Sequence, residues 1–300
     1  MQQVKASPPP IEVTGVSKVY QGGFKAVRQV SFDINPGSFT VLLGLNGAGK
    51  SSMINMITGL NHITTGSIKI FGFDIKKNPF MAKSQMAIMP QEINFNLFTR
   101  IGDALIDHGG YYGIPRDVVL KRALPLLKKA KLDAKINEPI NTLSGGMKRI
   151  LMLIRGLIQK PRLLILDEPT ANLDIEIRKI IWEILQDEHQ AGMSTLLTTH
   201  NLEEAQLLCT NVLILHHGQL VLDRSIEEAI QSLEEKFYSV SFTDTINQKQ
   251  MDPFFAYMGE KVGPQKARFC LSKDQDIGHL IYKLHLADLK ISHIAPSSHQ

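Results

Sequence analysis

The chain has 300 residues, more than one compact domain usually holds, so a large domain with a smaller appendage is expected. Its apolar fraction of 43%, charged fraction of 21% and net charge of +4 spread along the chain fit a solvated globular surface and argue against a nucleic-acid partner. Its two cysteines, Cys209 and Cys270, lack metal-ligand spacing, which argues against a disulfide framework or a zinc site and fits a reducing cytosol.

The N-terminal MQQVKASPPPIEV has no apolar run of the signal-peptide kind, and Pro8, Pro9 and Pro10 read as an extended lead over residues 1–10. No apolar stretch nears the roughly 20 residues that cross a bilayer, so any membrane role requires docking onto another chain. Phe39 to Leu43 is a continuous apolar run, as in a strand buried on both faces. Met53, Met56, Ile57 and Leu60 then fall at helical spacing. Leu120, Ala123, Leu124 and Leu127 form a second stripe, in which Pro125 predicts a kink or break. Ile150, Ile154, Leu157 and Ile158 mark a helix that begins just after LSGG. LLILD, a helix through Ile177, Ile180, Ile181 and Ile184, and STLLTTH restore the alternation that implies a mostly parallel sheet. NVLILHHGQLVL reads as a hairpin turning near Gly218, where His216 and His217 are ordinary solvated residues. Ser225 and Glu228 form a capping box for a helix through Ile226, Ile230 and Leu233. Beyond it, Tyr238, Val240 and Phe242, and then Ala267, Phe269 and Leu271, alternate as half-buried strands do. A helix through Ile277, Leu280, Ile281 and Leu284 and a strand over Ile291 to Ile294 complete a small α+β part spanning residues 237–300.

Three segments carry chemistry. GLNGAGKS, from Gly44 through Leu45, Asn46, Gly47, Ala48, Gly49 and Lys50 to Ser51, matches G-x-x-x-x-G-K-[ST]. Its glycines let backbone N–H groups turn toward phosphate oxygens. Lys50 reaches the β- and γ-phosphates, Ser51 offers its hydroxyl to Mg²⁺, and the helix that follows adds its positive end. A buried strand before the loop and an amphipathic helix after it make an accidental match improbable. LLILD ends in Asp167, at a sheet edge where it can hold Mg²⁺, and Glu168 follows in position to orient and deprotonate water. LSGGM, Leu143 to Met147, places Ser144, Gly145 and Gly146 at a second helix start suited to phosphate.

Together these segments resemble the ATP-binding-cassette (ABC) ATPases over roughly residues 11–233. The resemblance implies an α/β P-loop NTPase cassette: a mostly parallel sheet with helices, an antiparallel β part and a helical subdomain near residues 96–158. The cassette would span residues 11–236, with the α+β appendage after it. It implies that Tyr20 stacks on adenine, that Ser52 joins the phosphate loop, and that Gln91 senses the γ-phosphate and Mg²⁺. His200 would be the switch residue beside the γ-phosphate, with Lys50 and Glu168 completing the catalytic set. Ser144, Gly145, Gly146 and Asp174 would act across a homodimer that sandwiches two ATP. LSGGMKR, the FGFDI segment and the short appendage resemble the type-2 exporter ATPases, which drive a separate polytopic permease from the cytoplasmic face of the inner membrane. The appendage closes on IAPSSHQ, without the acidic-aromatic ending common in that group. A non-transport ABC protein powering a soluble assembly machine is the alternative. A GTPase or small-molecule kinase fits less well, because the chain has no N-K-x-D guanine-reading motif and LSGGM would go unexplained.

Overall fold

The computed structural model describes residues 8–229, 236–247, 254, 257, 260–271 and 275–297. They divide into two compact units, Met1–Ile226 and Glu227–Gln300.

The first unit holds two sheets. In the antiparallel one, β1 (Ile11–Val19) lies between β2 (Lys25–Ile34) and β4 (Thr65–Ile70), with β5 (Phe73–Asp74) at the edge. The other has the order β10-β9-β3-β8-β7-β6, from Gln219–Ser225, Asn211–His216, Phe39–Leu43, Ser194–Thr198, Leu163–Asp167 and Met86–Met89. Its strands run parallel except for β10, which pairs antiparallel with β9. Central strands covered on both faces need side chains that lose nothing by leaving water, and every residue from Leu163 to Leu166 is fully buried. Register then decides where the chemistry lies. Leu42 pairs with Thr198 and Thr198 with Asp167, so β3, β8 and β7 end at one edge.

The helices are α1 (Lys50–Ile57), α2 (Pro79–Ser84), α3 (Ile101–Tyr111), α4 (Arg116–Lys129), α5 (Gly145–Leu157), α6 (Ile175–Gln190) and α7 (Leu202–Leu208). Three expectations are corrected. The Met53, Met56, Ile57 stripe is buried, but α1 ends before Gly59, whose φ of +69° is left-handed, and Leu60 is 69% exposed. Helix α4 runs through Pro125 without a break, because Pro125 and Lys121 both face solvent, where water can serve the freed carbonyl. Its buried stripe is Val119, Ala123 and Leu127, with Leu124 turned outward. Helix α5 begins inside LSGG, since Ser144 is its N-cap and Gly145 its first residue.

The expected hairpin turns on His217 and Gly218, both at positive φ (+48° and +79°), as a two-residue turn between twisted strands requires. Residues 226–229 are helical after Ser225, while Ile230 and Leu233 of that expected helix lie outside the described residues.

The second unit pairs a four-stranded antiparallel sheet with α8 (Ile277–Leu286). The strand order is β12-β13-β11-β14, from Glu260–Gly263, Lys266–Leu271, Lys236–Phe242 and Ile291–Ser297. Val240, Phe242, Ala267, Phe269 and Leu271 meet Leu280 and Leu284 in one core, while Ile281 is 38% exposed. Pro296 is tolerated because β14 is an edge strand.

Candidate functional site

The loop after β3 holds a shape that only glycine permits at two points. Gly44 (φ +157°) and Gly49 (φ +107°) approach other backbone so closely that a Cβ would stand 2.5 Å from the carbonyl oxygens of Leu215 and Ala26. This closeness presses the loop against β9 and β2 and aims the start of α1 at the sheet edge. There the first N–H groups of a helix have no carbonyl of their own turn to meet. Lys50 Nζ donates to the carbonyls of Gly44 (2.6 Å) and Leu45 (3.3 Å), which centres the ammonium over the loop. Ala48 is buried behind it.

Beside the loop, the ends of β7 and β8 are tied together. Thr198 Oγ1 donates to Asp167 Oδ1 and accepts the N–H of Glu168. Glu168 has a left-handed backbone (φ +48°), a costly conformation for a residue with a Cβ, and one that its neighbours hold in place. Its carboxylate faces Gln91 Nε2 at 3.4 Å and His200 Nδ1 at 3.5 Å. His200 is exposed, just ahead of α7, whose N-cap Asn201 accepts from the N–H groups of Glu203 and Glu204.

A cleft of about 660 Å³ collects these groups. Its walls include Gly44, Leu45, Asn46, Gly47, Gly49, Lys50, Ser51, Ser52, Gln91, Asp167, Glu168 and His200. Tyr20 is outside the lining but bound to it, its hydroxyl 3.1 Å from Ser52 Oγ and from Asn61 Nδ2. Ser144, Gly145, Gly146 and Asp174 do not line the cleft. They form a second feature, in which Ser144 caps α5 and Asp174 caps α6, each side chain accepting an N–H three residues on. Gly146 brings the two helix starts together, because a Cβ there would stand 3.0 Å from Ile177.

Sequence reasoning missed four residues. Phe24, 65% exposed, lines the cleft next to Gly22 and Gly23, and an exposed aromatic in a glycine turn was the available signal. Thr198 read only as a strand residue. Arg149 is 5% exposed and binds backbone carbonyls of the two segments that carry Gln91 and Glu168. Burial pushes its guanidinium below the ordinary arginine range, opposed by the charges of Asp167 and Glu168. Glu204, fully buried, accepts through one oxygen from Thr170 Oγ1 (2.8 Å) and Trp182 Nε1 (3.0 Å). It fixes the start of α7 to the segment following Glu168.

Elsewhere, among the described residues, no group of three or more His, Cys, Asp and Glu side chains could hold a metal, and no helix is long and apolar enough to cross a membrane. The rings of His216 and His217 lie 4.2 Å apart at the hairpin turn, tilted by 59°.

Residues 27–171 match the family model described as ABC transporter. The Nod factor export ATP-binding protein I of Rhizobium johnstonii is 39% identical over 217 residues, covering 72% of this chain and 70% of that protein. Its namesake in Ralstonia nicotianae is 35% identical over 224 residues, covering 75% and 70%. A solved structure of an ABC transporter ATP-binding subunit superposes with a TM-score of 0.69 at 28% identity, covering 74% of this chain and 92% of that one. The cassette fold expected from the motifs is therefore the fold observed. A phosphate loop, an acidic strand end and an LSGG helix on that fold, with relatives of this kind, have one reading: the chain belongs to the ATP-binding subunits of ABC transporters, and its reaction is the hydrolysis of ATP.

Proposed function

We propose that two copies of this chain close head to tail around two ATP and drive a separate polytopic permease that exports its cargo. The observation that carries the reading is the placement of Glu168 between Gln91 and His200, facing the Lys50 loop in one cleft. That placement suits phosphoryl transfer to water, which asks for positioning and charge neutralisation more than for covalent chemistry.

Glu168 orients the attacking water and takes its proton, while His200 and Lys50 stand against the γ-phosphate. Tyr20 stacks on the adenine, and the loop from Gly44 to Ser52 holds the phosphates. Ser51, Gln91 and Asp167 offer a hydroxyl, an amide oxygen and a carboxylate to the same cleft, an all-oxygen set that fits Mg²⁺. A bound Mg²⁺ would neutralise phosphate charge there.

Ser144, Gly145, Gly146 and Asp174 lie away from their own chain's cleft, which suits a role at the partner's nucleotide. ATP favours the closed pair because its γ-phosphate is shared, and phosphate release removes that differential contact. The Gln91 segment and the helices over 101–157 pass the movement to the permease, which holds the chain at the cytoplasmic face of the inner membrane. Outward transport follows the role for which the relatives are named, Nod factor export. The cargo is recognised by the permease.

Affinity purification of the chain from mild-detergent extracts of its native membranes tests the transport reading. A polytopic membrane protein recovered in stoichiometric amount is the expected result. Recovery with soluble partners alone would replace it with a soluble assembly machine.

A further inference from the structure

Arg149 is the fifth residue of α5, nearly one and a half turns beyond the Ser144 cap, or about 7.5 Å along the axis at 1.5 Å per residue. Its guanidinium has five N–H groups, and each has its own carbonyl. Nε donates to Pro169 (3.0 Å), Nη1 to Pro90 (2.7 Å) and Gln91 (2.6 Å), and Nη2 to Asp167 (3.0 Å) and Glu168 (2.7 Å). All five acceptors lie in the two segments that present Gln91 and Glu168 to the cleft. The bond to the Glu168 carbonyl also holds the left-handed turn that aims its carboxylate, together with the Thr198 contacts to the N–H. A buried cation with every donor engaged cannot slide without breaking charge-assisted bonds, so α5 and both segments must move as one piece.

We infer that Arg149 is a positioning residue that links the two ATP sites of the dimer. Engagement of the Ser144 end of α5 by the partner's nucleotide is transmitted through Arg149 to Gln91 and Glu168 of its own chain. The inference rests on the composite-site reading above. It adds that each site senses occupancy of the other through this side chain.

Three purified full-length proteins separate the possibilities: native chain, Ser144→Arg and Arg149→Lys. Each is assayed for binding of a fluorescent ATP analogue and for phosphate release against ATP concentration. Lysine keeps the charge but has only three N–H groups for five carbonyls. For Arg149→Lys, affinity within about twofold of native, kcat lower by at least about tenfold and a Hill coefficient reduced to about 1 are expected. A residue that merely stabilised the fold would lower the amount of active protein and leave the cooperativity of the remainder unchanged. Native kcat and native cooperativity in Arg149→Lys overturn the inference, provided Ser144→Arg is inactive with its affinity intact. Native turnover in Ser144→Arg overturns the composite site itself, and the inference with it.

Should Arg149→Lys fail to fold, amide hydrogen exchange on the native chain and Ser144→Arg, both with a non-hydrolysable ATP analogue, decides the matter. Greater protection of the Gln91 and Glu168 segments in the native chain is expected. Equal protection overturns the inference.

Discussion

Thr198 binds the N–H of Glu168 twice, through its carbonyl oxygen at 3.0 Å and its hydroxyl at 3.1 Å. The same hydroxyl donates to Asp167, so one strand-end threonine sets two carboxylates at once. Thr198→Val keeps the shape and removes the hydroxyl. Asp167 then loses a donor, and Glu168 keeps only the carbonyl contact. Turnover falls by about 10- to 100-fold from misplacement of the acid, and stability by about 1–3 kcal/mol. Phosphate-release kinetics and chemical denaturation measure the two. Unchanged kcat would show that the hydroxyl does not place Glu168.

Glu168→Gln preserves size and removes the proposed base. ATP binding should persist while kcat falls by about 10²- to 10⁴-fold, the usual share of a positioned base. With the γ-phosphate intact, the closed pair accumulates and elutes as a dimer in ATP by size exclusion. Undiminished turnover would remove Glu168 from the role given to it.

Gly49→Ala places a methyl group 2.5 Å from the Ala26 carbonyl at a φ of +107°. Strain of this kind costs about 1–3 kcal/mol. Here the loop must shift away from β2 to relieve it. Loss of ATP-analogue binding with a lowered melting temperature is expected, and native affinity would show that the loop tolerates the shift.

His108 on α3 is held neutral. Burial, reinforced by the nearby Arg155 charge, lowers its pKa from the ordinary 6.5 to about 4. Among the described residues its Nε2 is buried with no hydrogen-bond partner. The unfolded chain therefore takes up the proton first as the solution is acidified. Stability from this source is whole above pH 6.5, declines as the pH falls, and stops declining below about pH 4. Chemical denaturation across that window should show a shallower decline in His108→Gln than in the native chain, and identical slopes would refute it.

The parts of the site that are local patterns are legible in the amino-acid sequence itself. A glycine loop, an apolar strand ending in acid and a serine before two glycines each make their geometry from a few consecutive residues. The residues missed act over long distances in the chain. Arg149 follows Lys148 and looks like surface charge, and only the folding of residues 90–91 and 167–169 around it makes it a buried one. Thr198 has the composition of any strand, and its role comes from register with Asp167. The errors within helices have the same origin. Apolar spacing alone extended α1 to Leu60, while the left-handed Gly59 ended it. Pro125 predicted a kink or a break, and the break is absent; sequence does not show which face of α4 meets water.

Glu204→Ala should destabilise the chain by about 2–4 kcal/mol, since Thr170 and Trp182 would each keep a buried donor without its acceptor. Denaturant midpoints measure this, and a loss below about 1 kcal/mol would mean that water or a neighbour takes over.

The bond between Trp182 and Glu204 gives the protein its own optical gauge. The chain contains one tryptophan, so all indole emission comes from this position. Its N–H shares a carboxylate oxygen with Thr170, two residues past Glu168, and that carboxylate sits on the helix that follows His200. Any stroke that shifts either segment changes the field and hydrogen bonding around the indole. Turnover that moves either segment should therefore be readable in real time by ultraviolet fluorescence of the unlabelled protein, with Glu204→Gln as the variant whose signal should change.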